Sequence, residues 1–103
     1  MVNYYPPNAR LGLHDEREAD GAVVSISLGD TGDFVFKRSW SNKVKLRTVP
    51  LASGDILVFG GAARSIVHGV PLIHPDTGPG QVRAAFIGKE GIGGRVNFNL
   101  RER

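Results

Sequence analysis

The sequence predicts an all-β fold, a sandwich or barrel of short strands, and three observations carry that reading. Apolar and polar residues alternate in short runs rich in Val, Ile and Phe. The 14 Gly and 6 Pro are spread along the chain, so turn chemistry recurs between the runs. No segment carries an apolar stripe of 3.6-residue period and helical length. At 103 residues the chain has room for one domain, spanning 1–103, around one core.

The chain opens with Asn3-Tyr-Tyr5, an extended segment before the Pro6-Pro7 break. Leu13 to Gly21 is highly charged and reads as a loop. Ala22 to Leu28 is the first long strand, with Ala22, Val24, Ile26 and Leu28 on one face. Asp33 to Lys37 places Phe34 and Phe36 together, and Val44 to Thr48 alternates apolar with basic residues. Asp55 to Phe59 is a short apolar strand after a Ser-Gly turn. Val67-His-Gly-Val70 is strand-like, and His74 to Gly80 is turn chemistry throughout, which makes His74 a surface residue. Gln81 to Ile87 is compatible with a further strand and Gly88 to Gly94 with a turn. Arg95 to Arg101 alternates strictly.

Composition excludes several classes of protein. With 41% hydrophobic and 22% charged residues the chain is an ordinary globular one and not a disordered one. No apolar run approaches the roughly 18 residues of a membrane-spanning helix, and no secretory leader pattern is present. The absence of Cys excludes a disulfide framework, a zinc finger, an iron–sulfur cluster and a thiol nucleophile. It fits a reducing compartment, and a cytoplasmic protein is expected. A net charge of +3 is compatible with a polyanionic partner.

Three groups of residues carry chemistry. His14 and Glu16 share a face if the segment is extended, with Cα atoms roughly 6–7 Å apart. With His68 they supply the two-His, one-carboxylate facial triad that leaves coordination positions open on Fe(II). In isolation a His-x-Glu pair also arises by chance in any chain with three His. On the last strand Arg95, Asn97, Asn99 and Arg101 lie on one face without an acidic residue, the composition of an anion site. Near the start, Asn3 and Tyr5 share a face and offer an amide and a phenol to one ligand.

In this order the three groups resemble the AlkB family of Fe(II)/2-oxoglutarate dioxygenases. The family's Asn-x-Tyr strand and Pro turn match Asn3-Tyr-Tyr5-Pro-Pro, and its His-x-Asp matches His14-Asp-Glu16. Its Ser-x-Ser-Leu-Gly strand matches Ser25-Ile-Ser-Leu-Gly29, and its Gly-Asp turn, apolar strand and Gly-Gly match Gly54 to Gly61. Ala63-Arg64, His68-Gly69 and the closing Arg-x-Asn-x-x-x-Arg of Arg95, Asn97 and Arg101 complete a collinear match over nearly the whole chain.

The resemblance implies a double-stranded β-helix, or jelly-roll. It implies that His14, Glu16 and His68 hold Fe(II), and that Asn3, Tyr5, Arg95, Asn97 and Arg101 bind 2-oxoglutarate. O₂ is then the second cosubstrate. The implied reaction is oxidative dealkylation of N-alkylated bases in DNA or RNA, with the alkyl group leaving as an aldehyde. Glu18 is a candidate contact to the base edge, and Trp40 a candidate stacking residue. A 2-oxoglutarate hydroxylase of another substrate and a non-catalytic, truncated jelly-roll module remain as alternatives.

Two departures from the family pattern shape the expectations. Glu16 stands where the family has Asp, one methylene longer. The family's preceding, nucleotide-recognising segment has no counterpart before Asn3. If Arg95, Asn97 and Arg101 face inward, Val96, Phe98 and Leu100 face outward, and an apolar sheet face then awaits cover from a preceding segment or a second chain.

Overall fold

A computed structural model of the chain describes residues 2–15, 21–61, 66–82 and 93–101. Among these, eight strands follow in order: β1 (Val2–Tyr5), β2 (Leu11–His14), β3 (Val23–Gly29), β4 (Thr31–Lys37), β5 (Arg47–Leu51), β6 (Ile56–Phe59), β7 (Val67–His74) and β8 (Arg95–Arg101). They form two four-stranded antiparallel sheets, ordered β1-β8-β3-β6 and β2-β7-β4-β5. This is the jelly-roll arrangement that the alternation pattern and the resemblance led us to expect. Among the described residues no helix is long and apolar enough to cross a membrane.

Strand boundaries follow the sequence closely at β3, β6 and β8. Four segments differ, one being β7, which continues past Val70 and takes in His74 from the expected turn. The loop expected from Leu13 starts later, because β2 runs through His14 and pairs it with His68. Val44 to Leu46 are not strand; β5 begins at Arg47, opposite Phe36, where the register with β4 ends. Residues 81–82, placed in a candidate strand, belong to a helical turn, and 83–87 lie outside the described residues. Pro50 is accommodated in β5 because that strand is at the sheet edge, where a missing N–H costs no ladder bond.

The two sheets differ in what they bury. Phe34, Leu51, Val70 and Ile73, all from the β2-β7-β4-β5 sheet, form the compact core, with Tyr5, Leu11, Phe36, Leu57 and Ile66 packed against it. In β3 the buried positions are Val23, Ser25, Ser27 and Gly29, while Val24, Ile26 and Leu28 lie on the other face. The inner face of this sheet is therefore largely polar, and its outer face is apolar. Across that outer face Val24 pairs with Val58 and Leu100, and Ile26 with Ile56 and Phe98.

One buried carboxylate ties the β3–β4 turn to both ends of the β7–β8 connection. Asp30, in the β3–β4 turn, accepts hydrogen bonds from the backbone N–H groups of Thr77 and Gly78 through Oδ1 and of Gly94 through Oδ2. Its own N–H donates to the Gly94 carbonyl at 2.8 Å. Gly94 has φ 123°, and a Cβ there would collide with the Tyr5 carbonyl. The turn that delivers Arg95 to the site is thus fixed by a carboxylate on one side and by close backbone approach on the other.

Candidate functional site

The candidate residues converge inside the roll. A cavity of about 240 Å³ lies between the sheets, lined by Asn3, Tyr5, His14, His68, Arg95 and Asn97 among others. The pairing registers explain how residues so distant in sequence meet. On the β1–β8 pair Asn3 lies opposite Asn97 and Tyr5 opposite Arg95, so two amides, a phenol and a guanidinium enter from one side. On the β2–β7 pair His14 lies opposite His68, so both imidazoles enter from the facing sheet.

The two imidazoles are held in matching ways. Their ring centroids are 4.4 Å apart. His14 Nδ1 lies 2.9 Å from the Gly12 carbonyl, and His68 Nδ1 lies 3.1 Å from the Ile66 carbonyl. A carbonyl only accepts, so in each ring it is Nδ1 that donates. Orienting a ligand histidine through its second nitrogen is how metal sites fix ring and tautomer. His68 is buried and bordered by Phe34 and Phe59, with ring centroids 5.7 and 5.4 Å away.

Arg95 dominates the opposite wall. It is 2% exposed, and one of its terminal nitrogens donates to Ser27 Oγ at 2.7 Å. Its Nε is buried and has no hydrogen-bond partner among the described residues. Burial pushes the guanidinium below its ordinary pKa, and a Coulombic contribution from Tyr5 opposes that shift. No Asp or Glu is among the described residues that line the cavity. A buried cation with an open donor and no carboxylate is matched by an anionic ligand. Gly32 makes room for it: a Cβ there would sit 3.0 Å from Arg95 Nε and 3.1 Å from Val70 Cγ1.

Ser25 and Ser27 stand in the matched Ser-x-Ser-Leu-Gly strand, but reasoning from the sequence gave them no role in the site. Ser25 Oγ accepts from Asn97 Nδ2, and Ser27 Oγ accepts from Arg95. Both are buried on the inner face of β3, where they hold the β8 side chains in place. Their signal is a strand that alternates small hydroxyls with aliphatics, a pattern that is otherwise wasteful in a buried sheet.

Of the other candidates, Glu16 and Glu18 lie outside the described residues, as does the side chain of Arg101, whose backbone closes β8. Among the described residues no third acidic, thiol or imidazole group joins His14 and His68 in a metal-sized cluster. His74, expected in a surface turn, is instead the last residue of β7 and partly buried, with Nε2 3.0 Å from Asp33 Oδ1. Trp40 is half-exposed, and its indole N–H donates to Asp15 Oδ2 at 2.9 Å.

Comparison with known proteins agrees with this geometry. The profile of the 2OG-Fe(II) oxygenase superfamily matches residues 1–101. An AlkB homologue of Caulobacter vibrioides, named an alpha-ketoglutarate-dependent dioxygenase, is 43% identical over 108 residues, covering 98% of this chain and 43% of the relative. The DNA N(6)-methyladenine demethylase ALKBH1C of Arabidopsis thaliana is 36% identical over 110 residues, covering 99% and 23%. The tRNA demethylase abh1 of Schizosaccharomyces pombe is 33% identical, covering 99% and 35%. The solved structure of OsALKBH1 superposes with a TM-score of 0.82 at 37% identity, over 98% of this chain and 48% of that one. The chain spans less than half the length of these relatives.

Proposed function

This chain belongs to the 2OG-Fe(II) oxygenase superfamily and is AlkB-like, and from that premise we propose that it dealkylates N-alkylated nucleic-acid bases oxidatively. The observation that carries the reading is the pairing of His14 with His68 across a cavity from the buried, carboxylate-free Arg95. Relatives that share this segment are named for demethylation of DNA and of tRNA.

The residues present fit Fe(II) and 2-oxoglutarate. His14 and His68 would hold the ion through Nε2, and Glu16 is the proposed carboxylate ligand. The open Nε donor of Arg95 suits the distal carboxylate of a keto-diacid, a match that Lys could not make bidentately. Asn3, Tyr5 and Asn97 line the same wall and supply further hydrogen bonds, and Arg101 is the proposed second cationic anchor. Once bound, iron and 2-oxoglutarate supply the oxidation of the alkyl carbon by O₂, with release of CO₂, succinate and an aldehyde.

The protein's part is to hold the reactants in one geometry and to keep water out. Phe34, Phe59 and Leu57 line the cavity beside His68 and form its apolar wall. Glu18 is the proposed contact to the edge of the target base.

Anaerobic addition of Fe(II) and 2-oxoglutarate tests the reading. The site should give the weak visible charge-transfer band of a chelated keto acid, and then release aldehyde from an N-methylated oligonucleotide in air. A folded protein with no band is the non-catalytic alternative. A band without aldehyde from DNA or RNA points to a different substrate.

A further inference from the structure

Residues 37–47 contain Lys37, Arg38, Lys43, Lys45 and Arg47 and no acidic residue. The same five cations line a groove of about 370 Å³, floored by Phe36, Val44 and Ile66. None of the five has an ion-pair partner among the described residues. Like charges gathered on one loop repel each other, so their assembly there is unfavourable unless an anion neutralises it.

The groove lies at the metal-ligand end of the roll. Phe36, on its floor, is the cross-strand partner of His68, and Lys37 is the partner of Val67. Within the loop the chain's single Trp is 50% exposed, although Trp is ordinarily among the more buried residues. It is not swinging freely. Its N–H edge is tied to the carboxylate of Asp15, the residue after His14. One edge is anchored beside the candidate iron site, half of the residue remains open to solvent, and in sequence Lys37 and Arg38 precede it and Lys43, Lys45 and Arg47 follow it.

We propose that the β4–β5 loop is a docking track for single-stranded nucleic acid, with Trp40 stacking on a base and Lys37, Arg38, Lys43, Lys45 and Arg47 holding the flanking phosphates. The proposal builds on the nucleic-acid reading above and adds the surface that presents the strand to the cavity. Trp40 does not line the groove but belongs to the same loop, and an aromatic platform on a basic loop is what sequence-tolerant strand binding requires, because every base has a stacking face and every nucleotide a phosphate. Cations alone would serve any polyanion; the anchored, half-exposed indole favours unpaired bases.

Trp40 is the sole tryptophan, so its emission reports on the track directly. The metal-free chain is titrated with an unmodified single-stranded oligodeoxynucleotide, and binding of a labelled copy is followed by anisotropy. Emission should be quenched in step with binding. Affinity should fall steeply with salt. The variant carrying Lys43→Glu and Lys45→Glu should bind at least tenfold more weakly, with a log–log salt dependence flatter by about 0.7 for each phosphate it no longer neutralises. Trp40→Ala should lose about tenfold, and Trp40→Phe should recover most of it.

Unchanged emission at saturation overturns the proposal. So does wild-type affinity in the charge-reversed variant, a check that does not depend on how well Trp40→Ala folds. Equal affinity for a duplex of the same length, or equal quenching by anionic phospholipid vesicles at the same phosphate concentration, also overturns it. The Fe(II)/2-oxoglutarate band is recorded on the same preparations. A band without strand binding removes the track alone, and strand binding without a band removes the catalytic reading alone.

Discussion

His14 and His68 face each other across the β2–β7 pair, and each is fixed by the carbonyl two residues before it, Gly12 for one and Ile66 for the other. The device is the same on both strands. In each case the i−2 carbonyl holds Nδ1, and the imidazole is part of the cavity lining. Two imidazoles set in advance lose little freedom on binding an ion.

Removing either ring therefore removes a ligand and not merely a packing partner. Loss of an orienting partner alone typically costs a metal site about 10–100-fold in affinity. His14→Ala and His68→Ala should each exceed that and abolish the charge-transfer band. The two should differ in stability. His68 is buried between Phe34 and Phe59, so its truncation leaves a cavity and costs about 2 kcal/mol, whereas His14, less buried, costs under about 1 kcal/mol. Thermal melts separate these effects from iron titrations. Retained iron affinity in either variant would remove that residue from the ligand set.

Arg95 carries a charge that the protein alone does not neutralise among its described residues. A buried charge replaced by an apolar side chain of similar length often leaves stability unchanged or raises it by about 1–4 kcal/mol. Arg95→Met should melt within a few degrees of the parent or above it. The parent should gain thermal stability from 2-oxoglutarate by mass action, and Arg95→Met should gain none. Arg95→Lys should weaken 2-oxoglutarate more than Fe(II), since an ammonium lacks the fork. Equal loss of both ligands would indicate unfolding and not a lost anchor.

Much of the architecture was legible in the sequence, because strand existence depends on local alternation. Arg95 to Arg101 is a strand with the bounds its alternation gives. Alternation does not say which face is inside. In β3 the aliphatics Val24, Ile26 and Leu28 face outward and the serines inward, since the interior here is a ligand site. For β8 that inversion followed from the resemblance alone. Val44 to Thr48 shows the converse limit: the pattern is strand-like, but backbone partners on β4 begin only at the Phe36–Arg47 pair. The hydrogen bonds that order the site were invisible because they span the chain. Asp30 reaches Thr77, Gly78 and Gly94, Trp40 reaches Asp15, and neither carboxylate belongs to a local motif that would announce its partner.

Gly32 tests whether the pose of Arg95 matters, without touching Arg95 itself. A methyl group at this position meets Arg95 Nε at 3.0 Å, Arg95 Cδ at 3.1 Å and Val70 Cγ1 at 3.1 Å. The neighbours must give by a few tenths of an ångström, and overpacking of this kind costs about 1–3 kcal/mol. Gly32→Ala should weaken 2-oxoglutarate binding by tenfold or more while Fe(II) affinity stays near that of the parent, because Gly32 pairs with Ile73, at the opposite end of β4 from Phe36, the partner of His68. Calorimetric titration of each ligand reads the split. Equal affinity for 2-oxoglutarate would show that the guanidinium can shift and still bind.

The outer face of the β1-β8-β3-β6 sheet carries the last prediction. Ile56 and Val58 on edge strand β6 are 62% and 59% exposed, and Leu100 on β8 is 59% exposed. Cross-strand pairing joins them through Val24 and Ile26 into one apolar surface. Contiguous exposed apolar area on this scale marks an interaction surface, and among the described strands β6 is an edge strand with a partner on one side only. The isolated 103-residue chain should therefore associate with itself as concentration rises. Replacing Ile56 and Val58 together by Lys should reverse this, since both side chains point away from the cavity that Leu57 and Phe59 line. Sedimentation velocity across a concentration series measures it. A parent chain that stays monomeric throughout, with a cooperative melt, would show that the face needs no cover.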